Sequence, residues 1–232
     1  MNIYPNTTIS SFGDLFAILM PFGWQRIVFT LLAVLLISIF LSMAIGQTES
    51  HMRSGKLKFK MIFSYINNDI LVVLINVAVL ELIYVALTFI FGSVIFLFHL
   101  LISGIPNAPT ILGSVIAIVI CCVILFLYML ASVLMMINIP NMISNGYSLK
   151  EGIGSTTQLI GKNTYKLLFA FIVPYVVIIP AISLLCRTNV LWIGNILCYL
   201  LSAVYYSALT MTSYFELSDT SRYDNRKYYN YK

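Results

Sequence analysis

Apolar residues fill five long runs, Ile27–Ile45, Ile70–Ile102, Ile111–Ile137, Leu167–Cys186 and Val190–Ser213, and polar residues gather between them. A helix of about 20 mostly apolar residues crosses a hydrocarbon core roughly 30 Å thick. The pattern therefore predicts an all-α, polytopic membrane helix bundle with about five transmembrane helices. Glu81 is the one carboxylate inside these runs, and none carries an internal Lys or Arg. The second run has 33 residues. As a single helix it extends about 50 Å at roughly 1.5 Å per residue. Two spans and a turn do not fit into it, so one long helix is expected, tilted or bent near Gly92-Ser93.

The intervening segments carry a second pattern. Ser148-Leu149-Lys150-Glu151 has capping-box spacing, and Leu149, Ile153, Thr156 and Ile160 follow on one helical face. Lys56–Ile66 places Phe59, Ile62, Phe63 and Ile66 on a face turned away from Lys56 and Lys60. Both stretches read as short amphipathic surface helices on an anionic inner leaflet. A third precedes the first span: Ser11 and Asp14 sit at cap and N3, Phe12, Leu15, Phe16 and Leu19 share a face, and Pro21 and Trp24 follow.

These elements organise the chain into an extracytoplasmic segment 1–25, a transmembrane domain 26–213 and a cytoplasmic tail 214–232. Within the domain, 26–102 and 111–186 repeat the order span, basic surface helix, span, and 190–213 adds a last span. A shift of 94 residues aligns Lys56 with Lys150, Ile66 with Ile160 and Leu74 with Leu168, the layout of a parallel repeat. Ser38, Ser42 and Gly46, and likewise Gly113, Ala117 and Cys121, recur every fourth residue as small stripes suited to close helix packing.

Composition strengthens the membrane reading. Hydrophobic residues make up 60% and charged residues 9%, with a mean hydropathy of +0.96, whereas soluble domains carry about 25% charged residues. Eleven of the thirteen Lys/Arg fall in three segments: Gln47–Asn68, Asn138–Lys166 and Tyr214–Lys232. The positive-inside rule puts these in the cytoplasm, with the N-terminus outside and the C-terminus inside. The net charge of +5 is spread over short segments. It implies contact with anionic phospholipid headgroups through Arg53, Lys56, Lys58, Lys60, Lys150 and Lys162, and no nucleic-acid binding. The first run follows a segment without a basic n-region, so it reads as a retained span and not a cleaved signal.

Candidate chemistry is sparse. Glu81, about a third of the way along its span and near Tyr84 and Asn76, must be paired, hydrated or protonated. The three form a candidate intramembrane polar site, read either as a proton or cation site or as a hydrogen-bonded fastener. Pro174 and Pro180 free backbone carbonyls in the fourth run, through a kink or an ion site. His99 reads as interfacial, and His51 joins no metal-spaced cluster. Cys121, Cys122, Cys186 and Cys198 read as thiols packed between helices, without a disulfide framework. Asn6-Thr7-Thr8 is a formal glycosylation sequon. No hydrolase, Walker or zinc motif occurs, so neither an enzyme nor a cofactor is expected.

The segment "SLKEGIGSTTQLIGKNTYKLLF" (Ser148–Phe169) places Ser148, Glu151, Ser155, Leu159, Lys162 and Asn163 in a spacing of a recognisable kind. It resembles a short cytoplasmic helix in small bacterial membrane proteins related to the membrane domain of glycerophosphoryl diester phosphodiesterase. "HMRSGKLKF" (His51–Phe59) looks like their earlier loop, and "TSYFELSD" (Thr212–Asp219) like their exit from the last span. Those relatives often have six spans, and their catalytic segment has no counterpart among these residues. The resemblance implies a bacterial cytoplasmic-membrane protein with a mostly non-catalytic role. The expectation is a non-enzymatic protein acting through helix–helix, lipid or partner contacts, in a homo-oligomer or beside a membrane partner. The alternative is a small transporter or permease subunit using Glu81.

Overall fold

The computed structural model describes residues 24–103, 110–185 and 191–220. Among them the chain forms helices and no strand: α1 (Trp24–Ser54), α2 (Ile62–Ser103), α3 (Thr110–Asn145), α4 (Leu149–Ile160), α5 (Thr164–Leu185) and α6 (Leu191–Leu217). Short 3-10 turns at Phe59–Met61 and Gly161–Asn163 lead into α2 and α5. Among the described residues, three helices are long and apolar enough to cross a membrane, over Thr30–Ser54, Ile62–Phe98 and Ile118–Asn145. Helix is the form this composition demands, because it satisfies its backbone polar groups within the segment. The expected helix around Ser11–Leu19, the sequon, Cys186, Arg187 and the basic residues from Arg222 onward lie outside the described residues.

The helices outrun the apolar runs that predict them. α2 has 42 residues, about 63 Å at roughly 1.5 Å each. It begins at Ile62 and absorbs half of the basic amphipathic stretch, so Lys56–Ile66 is not a separate surface helix. No Gly or Pro lies between Gly55 and Gly92 to interrupt it. α2 also continues through Gly92-Ser93, where the Ser93 hydroxyl donates to the Phe89 carbonyl at 2.7 Å. α1 and α3 end where glycine permits a left-handed residue. Gly55 (φ 69°) donates its N–H to the His51 carbonyl, and Gly146 (φ 66°) to that of Met142.

Contacts divide the chain into two compact units. One comprises Met1–Leu32 and Glu81–Tyr128, the other Ala33–Leu80 and Met129–Lys232. The boundaries fall inside α1, α2 and α3, not between the two sequence halves. Within the first unit, Tyr84 meets Tyr128 edge-on at 5.3 Å between ring centres. The second unit contains two apolar clusters. Leu41, Ile45, Val73, Ile139, Met211, Tyr214 and Phe215 join α1, α2, α3 and α6. Met129, Val133, Ile137, Ile160, Leu167, Leu168 and Phe171 join α3, α4 and α5.

The small stripe of α1 sits in this second core. Ser38 and Ser42 are buried, and the Ser42 hydroxyl donates to the Ser38 carbonyl. Gly46 lies flush against the Tyr65 ring, which a Cβ there would overlap. The side chains of Gly113, Ala117 and Cys121 lie outside those described. Cys122 departs from expectation: its thiol is exposed, on a stretch of α3 where Val123, Leu125 and Phe126 are exposed too. An apolar surface of that kind suits lipid and not water.

α4 starts with the anticipated capping box. The Ser148 backbone N–H and hydroxyl both donate to Glu151 Oε2, at 3.0 and 2.7 Å. Its buried residues are Gly152, Thr156 and Ile160, whereas Leu149 and Ile153 of the expected apolar face are only half-buried. The Ser148 hydrogen bonds hold the Glu151 carboxyl below its ordinary value of 4.5. A depressed carboxylate stabilises the fold above its unfolded value and stops doing so as pH falls through the folded one. Thermal unfolding in neutral detergent should therefore show Glu151→Gln less stable than wild type at neutral pH. That gap should begin to narrow near pH 4.5 and close only as the pH falls through the lower value of the folded protein. A gap independent of pH would count against the cap.

Candidate functional site

Three asparagines on α3, Asn138, Asn141 and Asn145, follow one another at helical spacings of three and four and so share a face. Opposite them stand Asn76 of α2 and Thr156 of α4. Asn76, Asn138, Asn141 and Thr156 are each at most 1% exposed. Their side chains form one continuous chain of hydrogen bonds. Asn145 Nδ2 donates to Asn141 Oδ1 (2.9 Å), and Asn141 Nδ2 donates to Thr156 Oγ1 (2.9 Å). The Thr156 hydroxyl donates to Asn138 Oδ1 (3.1 Å), and Asn138 Nδ2 donates to Asn76 Oδ1 (2.8 Å). Asn76 Nδ2 ends the chain on the Val72 carbonyl at 2.8 Å.

Every donor in this chain points the same way, so each bond polarises the next. Remaining hydrogens also find acceptors. Asn76 and Asn138 both direct Nδ2 at Met142 Sδ, at 3.3 and 3.2 Å, and Asn141 Nδ2 reaches the Gly152 carbonyl at 3.4 Å. Gly152 makes the approach possible: a Cβ there would lie 2.6 Å from Asn138 Oδ1 and 2.7 Å from Met142 Cγ. The arrangement binds α2, α3 and α4 together through uncharged groups. None of its members titrates in the accessible pH range, so it cannot relay protons as chains of Asp, Glu and His do.

A second device deals with a broken backbone ladder. Pro174 has no N–H, which leaves the carbonyl four residues earlier without its helical partner. That carbonyl belongs to Ala170, and Tyr205 of α6 donates its hydroxyl to it at 2.9 Å. The neighbouring Tyr206 hydroxyl donates to the Phe171 carbonyl at 3.1 Å, with the two rings 5.4 Å apart. The turn preceding Pro174 thus becomes a docking point between α5 and α6. The Pro180 side chain lies outside those described.

Of the residues singled out from the sequence, Asn76 belongs to the amide chain, and Glu81 and Tyr84 lie further along the same helix α2. Glu81 is half-buried, and among the described residues no hydrogen bond or ion pair joins it to a neighbour. Arg53 is committed within the protein: its Nε lies 2.8 Å from Glu49 Oε1, and its guanidinium stands over the Phe215 ring at 5.4 Å. Lys56, Lys58, Lys60, Lys150 and Lys162 are exposed, as is His51. The His99 side chain is outside those described. Among the described residues no three His, Cys, Asp or Glu come together as a metal site.

Sequence reasoning reached Asn76 but passed over Asn138, Asn141 and Asn145, took Gly152 for a weak point of its helix, and took Thr156 for part of an apolar face. The available signal was N-x-x-N-x-x-x-N directly after an apolar run, followed by Gly152 and Thr156 four apart. No protein-family model, curated protein or solved structure matches this chain.

Two stability measurements in detergent test these devices. Asn138→Leu strands the Asn76 carbonyl and the Thr156 hydroxyl and should cost about 1–3 kcal/mol. Asn145→Ala, at the exposed end of the chain where water substitutes, should cost less than about 0.5 kcal/mol. Equal costs would break the idea of a continuous lock. Tyr205→Phe should cost about 1 kcal/mol in the wild-type background and close to nothing in a Pro174→Ala background, where the helical N–H is restored.

Proposed function

We propose that this chain is a non-enzymatic, multi-pass integral membrane protein of the bacterial cytoplasmic membrane. It crosses five times, with its N-terminus outside and its C-terminus inside. Three described helices of membrane length support the first part, and α5 and α6 coincide with the two remaining apolar runs. Exposed Leu31, Leu36 and Phe40 on α1, Leu71 and Leu82 on α2, and Ile118 and Leu125 on α3 make a surface that only lipid or a partner helix covers at low cost. The charge bias toward one set of loops supports the orientation.

One observation carries the reading of role. The buried polar groups of Asn76, Asn138, Asn141 and Thr156 are consumed in joining helices and contain no acid or base. A protein so arranged acts by what its surface touches: lipid, a membrane partner or a second copy. An accessory subunit, an exporter partner and an immunity-type protein all fit, as does the likeness of Ser148–Phe169 to membrane domains of the glycerophosphoryl diester phosphodiesterase kind. The second reading, a small transporter or permease subunit, draws on half-buried Glu81 and its lack of a bonded neighbour among the described residues.

Two experiments decide between them. Cysteines replacing Lys58 and Lys227 should both react with an impermeant reagent only from the cytoplasmic face; labelling from opposite faces would overturn the topology. Proteoliposomes should show no ion or solute flux under an imposed gradient. Flux abolished by Glu81→Gln would instead establish the transporter reading.

A further inference from the structure

The turns that lead into α2 and α5 are built alike. Each is a three-residue 3-10 turn with a lysine at its centre, Lys60 in Phe59–Met61 and Lys162 in Gly161–Asn163. Each is followed by a helix whose second residue is aromatic, Phe63 and Tyr165. These two rings are 83% and 80% exposed, more than any other large hydrophobic side chain among the described residues. Each lysine stands three positions before its aromatic, across the junction of turn and helix, a spacing that puts the two on neighbouring surface positions. Phe169, 78% exposed and one turn beyond Tyr165, extends the second pair.

Neither Lys60 nor Lys162 has an ion-pair partner among the described residues, whereas Arg53 is taken by Glu49. A bare aromatic ring beside a free ammonium, at the mouth of a long apolar helix, matches the chemistry of a bilayer boundary. The ring sits among the glycerol and upper acyl groups, and the lysine stem reaches back to the headgroup charge. Negative charge on the inner leaflet complements it.

We propose that Lys60 with Phe63, and Lys162 with Tyr165, are two matched anchor sites, each taking the phosphate of an anionic phospholipid headgroup in the inner leaflet. This rests on the membrane reading above and makes it specific. Two of the exposed lysines become headgroup ligands, and Lys56 and Lys58 become bystanders. The sites are separated by 102 positions along the chain and use no shared residue. They fix the depth of α2 and α5 in the same plane of the membrane.

The test uses the full chain in phosphatidylcholine vesicles with trace spin-labelled phosphatidylglycerol or phosphatidylcholine. The motionally restricted fraction then gives their relative association. Wild type should prefer phosphatidylglycerol, and Lys60→Gln with Lys162→Gln should reduce that preference about fivefold per site. Lys56→Gln with Lys58→Gln removes the same charge and should leave most of it. Phe63→Ala with Tyr165→Ala should also weaken it. High salt on the unmodified chain gives the same screening readout if a variant does not fold. Equal losses from the two lysine pairs would overturn the anchors in favour of diffuse charge, and displacement by inorganic phosphate would overturn the lipid as occupant. Chain retained by vesicles through an alkaline wash but without lipid preference sinks the anchors alone. Chain released by that wash sinks the membrane reading itself.

Discussion

The Asn138 side chain is the joint on which three helices meet. It belongs to α3, donates to Asn76 of α2 and accepts from Thr156 of α4, all within 3.1 Å. At most 1% exposed, Asn76, Asn138 and Thr156 are out of reach of bulk solvent, so the protein supplies their partners, because an unpaired buried amide costs more than a made hydrogen bond returns. That asymmetry fixes more than local contacts. It sets the rotation of α4 about its axis, since only Thr156 and Gly152 present a hydroxyl and a bare Cα to α3. Other rotations would bring Lys150 or Gln158 into the same place.

The backbone obeys the same rule. Pro174 removes a helical donor, and the Tyr205 hydroxyl supplies another from α6. Ser38 and Ser42 deal with their own hydroxyls by donating to carbonyls four residues back. They therefore behave as small, nearly apolar surfaces and can lie in the core. Two serines, a proline and an amide chain are different local ways of giving polar groups partners where solvent is excluded, whereas Gln47 Oε1 and Thr210 Oγ1 are buried with no partner among the described residues. The carbonyl that proline frees, an ion ligand in other membrane architectures, accepts here from Tyr205 at Ala170.

Hydropathy alone made the helical class and the positions of the long helices legible, because an apolar run of this length has few other stable forms. Their true ends were not legible. α1 and α3 extend eight or more residues past their apolar runs, to the glycine-permitted stops at Gly55 and Gly146. The basic stretch before Ile70 merges into α2, since periodicity cannot distinguish a separate amphipathic helix from the first turns of a longer one. The cap of α4 was readable from Ser148 and Glu151, being a local signal. Its buried face was not, because Gly152 looks like a weakness in isolation and becomes a necessity only beside Asn138. The amide chain was the hardest part. Asn76 and Asn138 are 62 positions apart, and averaging over a window dilutes single asparagines into the apolar background.

Charge and polarity have thus been assigned to different tasks in this chain. What holds α4 to α3 is uncharged, and what α4 and the turn after it present outward, Lys150 and Lys162, is cationic. Ionic strength screens exposed charges beyond about 10 Å at 0.1 M salt, yet leaves short buried amide bonds nearly untouched. The assembly of the helices is consequently insulated from the ionic conditions that act on these exposed charges. Arg53 marks the border between the two tasks, since its charge, although exposed, is paired with Glu49 and stands over the Phe215 ring. Had the helices been joined by ion pairs instead, lipid charge would compete for the same lysines that hold the bundle together, and binding at the surface would loosen the interior.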